Sequence, residues 1–232
     1  MARELATNFS LNPKEKPMFF LTHKLSALVG AVVVMIGLLA SPAPGMAYQW
    51  LRTAHVLDGD TLILEDGRHL RFLGINAPEI PHKDKPGEMF GYDSKRFAKN
   101  IIASKKIRLE FDHERQDRYG RTLGYLFTED GAFINEEMIR NGWAFYLPAR
   151  RSLKHHSRLL AAQRLAMDST LGIWRVWKEK TEPVAGNKRS KRFHLLSCSF
   201  GKKISRANRI DFTEPQSAFY SGYAPCRKCM GQ

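Results

Sequence analysis

The sequence predicts an α+β domain of five short strands and three helices between residues 49 and 177. Short stretches rich in β-branched and aromatic residues alternate with turn signals, which is typical of short strands. Longer stretches carry apolar residues at helical spacing. These observations fit a small β-barrel with packed helices, although propensity alone does not separate a barrel from an open α+β sheet.

Turn signals separate the predicted strands. Asp66-Gly67 predicts a hairpin turn because this dipeptide supplies the positive φ that such turns need, and Asp130-Gly131 is a second signal of the same kind. The predicted strands are Trp50–Leu57, Thr61–Glu65, Arg68–Ile75, Ile107–Phe111 and Thr122–Phe127.

Three longer stretches predict helices. Asn135 and Ser152 are good N-cap residues, because their side-chain oxygens accept hydrogen bonds from the free N–H groups of a first helical turn. Gly142 favours the end of a helix just before it. The predicted helices are Phe90–Ala103, Asn135–Arg140 and Ser152–Met167.

Residues 1–47 carry the features of a signal peptide. Their apolar run, 25–40, is shorter than the roughly 20 residues that a membrane-spanning helix needs. Gly45 and Ala47 suit the small-residue positions of a signal-peptidase site, which predicts cleavage after Ala47. An uncleaved anchor at 25–40 is the alternative, and Met18 is a second candidate start. Both interpretations predict an exported protein, either periplasmic or secreted.

The chain is strongly basic. It has 37 Lys and Arg against 23 Asp and Glu, which gives a formal net charge of +14. Such a surface favours a polyanionic partner, above all DNA or RNA. The alternatives are a charge that only keeps the protein soluble and a charge that suits an anionic membrane. Contact with a membrane is expected only if the leader is retained.

Three short motifs bring together the groups that phosphodiester hydrolysis needs. They are Asp58-Gly59-Asp60-Thr61, the segment Arg71–Glu79, and the segment Asp117–Arg121. The reaction requires an activated water and neutralisation of the negative charge that grows on the phosphate. Each motif alone is typical of an ordinary turn or loop, so the prediction depends on the ordered set.

Each reacting group has a role that its chemistry suggests. The Asp60 carboxylate suits a divalent cation, and Glu79 suits a general base that takes a proton from the attacking water. Arg71 and Arg121 can each grip phosphate oxygens with a planar fork that stays charged at any working pH.

From about Ala54 to Trp174 these motifs resemble those of the staphylococcal nuclease, or thermonuclease, family. The resemblance implies a five-stranded OB-type barrel with three helices. It implies calcium-dependent cleavage of DNA and RNA that leaves 3′-phosphorylated ends. It also places Arg71, Glu79 and Arg121 on the catalytic positions of the family.

The same resemblance implies a calcium site and a nucleotide contact. The implied calcium ligands are Asp60, Asn76 and the backbone carbonyl of Ala77, while Arg118 and Tyr119 fall where the family contacts the nucleotide phosphate. Asn76 departs from the pattern, because a second carboxylate usually stands there. An amide brings no charge, so we expect calcium affinity to be lower by about one to two orders of magnitude, or the metal preference to shift.

Composition changes after Trp177. Residues 178–191 are polar and contain Pro and Gly, which predicts a linker. Residues 192–232 then form a small basic module. Its positive charge is either an ordinary solvated surface or a segment that holds nucleic acid.

This module contains all three cysteines of the chain. His194, Cys198, Cys226 and Cys229 have the ligand types and spacing of a structural tetrahedral zinc site. One disulfide with a free thiol is the alternative in an oxidising compartment. The segment resembles the zinc-binding module of the Ada DNA-repair protein, with His194 in place of one cysteine.

The sequence therefore predicts an exported, metal-dependent nuclease without a small-molecule cofactor. The runner-up is an OB-type protein that binds nucleic acid without cutting it. The presence of Arg71, Glu79 and Arg121 together favours the nuclease, because a binding protein has no need for that glutamate.

Overall fold

The computed structural model describes residues 49–82 and 85–230. The predicted signal peptide, 1–47, and its apolar run, 25–40, lie outside the described residues. Within those residues no helix is long and apolar enough to cross a membrane.

The barrel-forming part of the chain contains every predicted strand. Two of them are interrupted, the first at Arg52 and the third at Leu73 and Gly74. The strands are β1 Trp50–Leu51, β2 Thr53–Val56, β3 Thr61–Leu64, β4 His69–Phe72, β5 Ile75–Asn76, β6 Ile107–Glu110, β7 Thr122–Thr128 and β8 Phe145–Tyr146.

The main sheet curls because its first strand bends. The strand order is β1-β6-β7-β4-β3-β2, so β1 and β2, which are separated only by Arg52, pair with opposite edges of the sheet. β4 and β7 run parallel in the middle, with Leu70 opposite Thr122. Leu62, Leu70 and Tyr125 are fully buried beneath this curved surface. The α+β class predicted from the sequence is confirmed.

Three helices cover the barrel part, as predicted. They are α1 Gly91–Ile102, α2 Ile134–Arg140 and α3 His156–Asp168. α3 begins four residues after the predicted cap at Ser152. The backbone N–H of Lys154 donates to Asp112 instead (2.8 Å), and the ring of His155 contacts Glu110 at 2.9 Å. These contacts hold the chain outside a helical turn at that point.

The predicted N-cap role of Asn135 is wrong. Asn135 lies inside α2 and is fully buried. Its Oδ1 accepts a hydrogen bond from the Leu126 N–H at 2.9 Å, and its Nδ2 donates to the Leu73 carbonyl at 2.9 Å. Asn135 therefore joins α2 to β7 and to the break between β4 and β5.

The C-terminal part has its own four-stranded sheet, of order Arg209–Phe212 (β11), Val184–Asn187 (β9), Arg192–Leu195 (β10) and Ala224–Pro225 (β12). The segment 178–191, predicted to be a linker, contains strand β9, in which Val184 is fully buried. The structure thus differs from the sequence prediction, because the short apolar stretch after Pro183 pairs with two neighbours. The elements are α4 Trp174–Trp177, β9 Val184–Asn187, β10 Arg192–Leu195, α5 Ser199–Lys202, a 3-10 turn Arg206–Asn208, β11 Arg209–Phe212, α6 Pro215–Tyr220 and β12 Ala224–Pro225.

An aromatic cluster joins this sheet to the barrel part. Phe219 lies 5.0 Å from Trp174, 4.8 Å from Trp177 and 5.0 Å from Phe193, measured between ring centroids. Gln163, also buried, accepts a hydrogen bond from the Tyr146 N–H and donates to the Phe219 carbonyl, both at 2.7 Å. Burying one large apolar side chain contributes about 1.5–3 kcal/mol. The C-terminal part is therefore packed on the barrel part rather than tethered to it.

Candidate functional site

Asp60, Arg71 and Asn76 meet in a buried polar centre, called here the Asp60 centre. Nη2 of Arg71 lies 2.8 Å from Oδ2 of Asp60 and donates to Oδ1 of Asn76 at 3.1 Å. Nη1 of Arg71 donates to the Phe72 carbonyl at 3.0 Å. The N–H of Ala77 donates to Oδ2 of Asp60 at 2.7 Å. Five residues from three places in the sequence, Asp60, Arg71–Phe72 and Asn76–Ala77, thus share one hydrogen-bond network.

The turn before β3 places Asp60. The Asp60 N–H donates to Oδ1 of Asp58 at 2.8 Å, and the Asp60 carbonyl accepts from the Phe72 N–H at 2.8 Å. Gly59 packs so closely that an added Cβ would lie 2.7 Å from the Ala77 side chain and 1.8 Å from the Ser94 hydroxyl. Only glycine allows the turn to pack this closely against the side chains of Ala77 and Ser94.

Asp60 is buried, with only 3% of the residue exposed to solvent. Burial raises the pKa of Asp60 above its ordinary value, Arg71 opposes that shift, and the charges of Asp58 and Glu79 add to it. A buried carboxylate among other negative groups is stabilised by an additional nearby cation. The centre is therefore electrostatically suited to binding one.

The donor set at the centre fits a hard divalent cation. The Asp60 carboxylate, the Asn76 amide oxygen and the Ala77 carbonyl are the oxygen types that calcium takes. The Ala77 N–H already fixes this backbone against the Asp60 carboxylate at 2.7 Å. Asn76 contributes a neutral oxygen that also accepts from Arg71, so Asp60 supplies the only negative charge among these three groups.

Glu79 lies on an exposed loop just after the Asp60 centre. Its side chain is 52% exposed and its Oε2 lies 3.9 Å from Nε2 of His82. The loop is held from behind by Glu88, whose carboxylate accepts the Glu79 N–H at 3.1 Å and whose own N–H donates to the Glu79 carbonyl at 2.8 Å. An added Cβ on Gly91 would lie 2.4 Å from that carbonyl. The backbone of Glu79 is thus fixed while its carboxylate faces solvent.

Asp117 positions Arg121 in the turn before β7. Nε and Nη2 of Arg121 both lie 2.8 Å from Oδ2 of Asp117, whose Oδ1 accepts the Arg121 N–H at 3.0 Å. Burial alone would raise the pKa of Asp117, but the hydrogen bonds from Arg121 and from the Tyr119 N–H hold that pKa below its ordinary value. Asp117 is therefore a stable anionic support for the Arg121 guanidinium.

Arg118 and Tyr119 lie exposed at the tip of the same turn. The Arg118 guanidinium is 4.8 Å from the Tyr119 ring centroid, and the Arg121 guanidinium is 5.6 Å from it. Nη2 of Arg118 donates to the Tyr119 hydroxyl at 2.6 Å. The tip offers a solvent-facing aromatic ring between two positive charges.

Strand pairing brings the separate pieces to one region. Arg71 on β4 is paired with Leu123 on the parallel strand β7, two residues after Arg121. Neighbouring strands lie about 4.8 Å apart, so Arg121 enters β7 beside the strand that carries Arg71. Among the described residues no hydrogen bond or ion pair joins Arg121 or Glu79 to the Asp60 centre. The structure thus brings Asp60, Arg71, Asn76 and Ala77 into direct contact and places the others on adjoining segments.

The four predicted zinc ligands also meet. The ligand atoms of His194, Cys198, Cys226 and Cys229 all lie within 4.8 Å of one another. Sγ of Cys198 is 3.6 Å from Nδ1 of His194, and all three cysteines are free thiols. Zinc–sulfur bonds of about 2.3 Å place tetrahedral sulfurs about 3.8 Å apart, so a small contraction closes the site on a metal. We call these four residues the cysteine–histidine cluster.

Strand pairing builds this cluster from distant parts of the chain. His194 lies on β10, and the Cys226 N–H donates to the Phe193 carbonyl of the same strand at 2.9 Å. Cys198 precedes α5 and donates its N–H to the Leu195 carbonyl at 3.0 Å. Burial alone would raise the pKa of Cys198, but the N–H groups of Gly201 and Phe200 and the other thiols lower it.

The sequence prediction missed two residues that support the site. Asp117 belongs to one of the three motifs and lies four residues before Arg121, with a glycine turn between them. This spacing could have predicted that Asp117 holds the Arg121 guanidinium. Glu88 has no such signal, because it meets Glu79 only through a loop that contains Pro and Gly. Its role could be found only from the structure.

Comparison with known proteins matches residues 69–176 to the family model described as staphylococcal nuclease homologue. The chain is 35% identical to a thermonuclease of Staphylococcus hyicus over 132 residues, which cover 54% of this chain and 76% of that protein. It is 34% identical to a thermonuclease of Staphylococcus intermedius over 125 residues, covering 51% and 72%. Endonuclease YhcR of Bacillus subtilis (strain 168) is 27% identical over 199 residues, covering 72% of this chain and 16% of that protein.

Proposed function

Because the chain belongs to the staphylococcal nuclease homologue family, we propose that it hydrolyses phosphodiester bonds in DNA or RNA. The relatives named thermonuclease and endonuclease support this class of enzyme. The observation that carries the proposal is the Asp60 centre, where a buried carboxylate and Arg71 lie 2.8 Å apart beside the loop of Glu79. In this proposal residues 48–177 form the OB-type catalytic domain of the family.

Glu79 acts as the general base. Its carboxylate is exposed to the water it would deprotonate, while Glu88 fixes its backbone through two hydrogen bonds. The oxygen of that water attacks phosphorus and its proton passes to Glu79. The bond from phosphorus to the 5′ oxygen breaks, the leaving oxygen takes up a proton, and a 3′-phosphorylated end remains. General-base catalysis of this kind contributes about 10² to 10⁴ in rate.

Arg71 and Arg121 stabilise the charge that builds on the phosphate. The three hydrogen bonds of Arg71 leave two of its five N–H donors for phosphate oxygens. Arg121 is half-buried and directed by Asp117, so its guanidinium is set before substrate binds. Such preorganised donors act without reorganisation during the reaction. Arg118 and Tyr119 contact the nucleotide phosphate from the tip of the same turn.

Calcium is the proposed cofactor, held by Asp60, Asn76 and the Ala77 carbonyl. When bound, calcium polarises a phosphate oxygen and favours deprotonation of the attacking water. The neutral amide of Asn76 supports a lower affinity than a second carboxylate would give. No small-molecule cofactor is needed for this reaction.

Zinc is the proposed occupant of the cysteine–histidine cluster. The supporting observation is the convergence of four soft or borderline ligand atoms within 4.8 Å. Its role is structural, since all four positions of a tetrahedral site are filled by protein. The likeness of residues 192–232 to the zinc-binding module of the Ada protein stays a prediction, as does export to the periplasm or the medium through the leader.

A non-catalytic nucleic-acid-binding protein is the second candidate. The net charge of +14 favours it as much as it favours a nuclease. The presence of Glu79 beside two arginines favours the nuclease, because a carboxylate near a phosphate site repels the phosphate and is useful there only if it takes part in the reaction.

Digestion of single- and double-stranded DNA and RNA tests the proposal, with calcium or with a chelator. The parent should cut in calcium and not in chelator. Glu79→Gln should lower the rate by about 10² to 10⁴ while leaving binding intact. Glu129→Gln, which changes an exposed carboxylate at a turn, is the matched control and should cut like the parent. Uncut substrate with the parent in every condition would favour the binding protein.

A further inference from the structure

A groove of about 440 Å³ lies where the barrel part meets the C-terminal sheet. One wall is the loop that follows β8, with Pro148 and Arg150. The other wall is the hairpin between β9 and β10, with Asn187, Arg189 and Arg192. Within the described part of the chain no acidic side chain lines the groove.

The groove arginines have no carboxylate partner among the described residues. Arg150 and Arg189 are exposed and take part in none of the ion pairs there. Arg192 is half-buried and donates one hydrogen bond, from Nη1 to the Pro225 carbonyl at 3.1 Å. Several positive charges so placed repel one another, and an anion between them relieves that repulsion.

The hairpin wall of the groove is rigid. Oδ1 of Asn187 accepts hydrogen bonds from the N–H groups of Arg189 at 2.9 Å and Ser190 at 3.3 Å. The strands below the hairpin are anchored by Val184 and Phe193, which are fully buried in the aromatic cluster. The arginines are therefore carried on a fixed surface, which lowers the entropic cost of binding an anion.

The opposite wall is connected to the Asp60 centre by a single short stretch of chain. Phe145 on β8 pairs with Asn76 on β5, and Arg150 follows Phe145 by five residues. Five extended residues span at most about 17 Å. The pairing of Phe145 with Asn76 adds about 5 Å, so Arg150 lies within about 22 Å of the Asp60 centre. One nucleotide of a duplex strand spans about 3.4 Å along the axis, so this distance corresponds to at most about six or seven nucleotides.

We propose that this arginine groove binds the phosphodiester backbone of the substrate strand a few nucleotides away from the bond that is cut. The proposal rests on the proposed nuclease function, and it gives the C-terminal part a role in holding substrate. The arginines grip phosphate oxygens without reading bases, so the groove strengthens binding of long strands independently of sequence.

A binding experiment with the double variant Arg150→Gln/Arg189→Gln tests the groove. Both side chains are exposed, so the fold should be unaffected. The variant is made in the Glu79→Gln background, and its affinity for a 20-nucleotide single strand is measured by fluorescence anisotropy at several salt concentrations. We expect binding to weaken about five- to twentyfold, and the salt slope to fall by about 1.4, or about 0.7 per lost phosphate contact. The control, Arg175→Gln/Arg206→Gln, removes the same charge elsewhere.

Cleavage of a dinucleotide by the groove variant with Glu79 intact provides the second measurement. Such a substrate is too short to reach the groove, so its kcat/KM should equal that of the parent, while KM for the 20-nucleotide strand should rise. Equal losses of binding in the groove variant and the control would overturn the proposal, as would no loss in either. Failure of the proposed function would instead appear as uncut substrate with the parent. The anisotropy measurement would then still show whether the groove binds the strand.

Discussion

The Asp60 centre and the cysteine–histidine cluster are two polar sites in one folded unit, and they depend on their surroundings in opposite ways. Asp60 directly precedes β3, and Arg71 lies on the neighbouring strand β4. Both stand above a barrel core that includes Leu62, Leu70 and Tyr125, all fully buried. Contacts between apolar side chains hold this core together. Apolar burial therefore holds the reacting groups in place, and a cation adds charge rather than structure.

The cysteine–histidine cluster instead ties together short elements. Cys198 precedes a helix of four residues, and Cys226 follows a strand of two. Elements this short are not stable alone, so a metal bound by the cluster, as proposed, would contribute folding free energy directly. The aromatic cluster around Phe193 and Phe219 also stabilises this part, because it packs the C-terminal sheet against Trp174 and Trp177. Removing each metal should therefore have different consequences.

The largest expected effect is loss of the cysteine–histidine cluster. Cys226→Ser removes a buried ligand, and we expect zinc content to fall from about one per chain to below about 0.1. Structural zinc in small domains contributes on the order of 10 kcal/mol, so residues after about 184 should become open to proteolysis. Elemental analysis and limited proteolysis measure these two effects.

The barrel part should remain folded in Cys226→Ser and should still cut a dinucleotide. Ser197→Ala, an exposed neighbour of the cluster, is the control and should retain zinc. A parent protein without zinc, or a variant as resistant to proteolysis as the parent, would contradict the contrast between the two sites.

The second effect concerns charge at the Asp60 centre. Asn76→Asp adds a second carboxylate to the proposed calcium ligands with almost no change in side-chain size. We expect half-maximal cleavage at a calcium concentration about 10 to 100 times lower, because affinity for hard cations follows ligand charge. Without metal, the midpoint temperature of thermal unfolding of Asn76→Asp should be close to that of the parent or lower, because the new carboxylate repels Asp60. Asn100→Asp, at an exposed helix position, controls for total charge, and an unchanged calcium requirement in Asn76→Asp would refute the expectation.

The two regions also differ in how far the sequence predicts them. The barrel strands follow from short stretches rich in β-branched and aromatic residues and from Asp-Gly turns, and the motifs that contain Asp60 and Arg71 lie on or beside those strands. Asn135 could not be placed in the same way. A local rule makes it an N-cap, whereas its side chain bonds to Leu73 and Leu126, which only the folded chain brings near.

The C-terminal part shows the same limit more strongly. The ligand spacing of the cysteine–histidine cluster is readable from sequence, and the structure does bring the four residues together. The polar composition of 178–191 predicted a linker, yet Val184 pairs and packs there. Two buried apolar residues, Val184 and Ala185, are enough for a strand when its partners come from β10 and β11. Such long-range pairing cannot be seen in the local composition.

The smallest expected effect tests whether the barrel stabilises itself without metal. Asp112, whose side chain is 5% exposed, accepts hydrogen bonds from the Tyr125 hydroxyl at 2.6 Å and the Lys154 N–H at 2.8 Å. Burial alone would raise the pKa of Asp112, but these bonds hold it below the ordinary value of 3.8. Asp112→Asn should lower the free energy of unfolding at pH 7 by about 1–2 kcal/mol, because an amide group then faces these donors.

The lowered pKa of Asp112 also predicts how this loss of stability changes with pH. A carboxyl group whose pKa is lower in the folded state stabilises the protein above its unfolded pKa, and that contribution is lost as pH falls through the folded value. The difference between the parent and Asp112→Asn should therefore be constant from pH 7 down to about pH 4 and shrink below it. Urea unfolding in chelator measures the difference, with Glu129→Gln as the exposed control. The hydrogen bonds of Asp112 involve only protein groups, so they should stabilise the barrel without any metal. If the parent and Asp112→Asn had the same free energy of unfolding in chelator at pH 7, the barrel would instead depend on a bound metal for its fold.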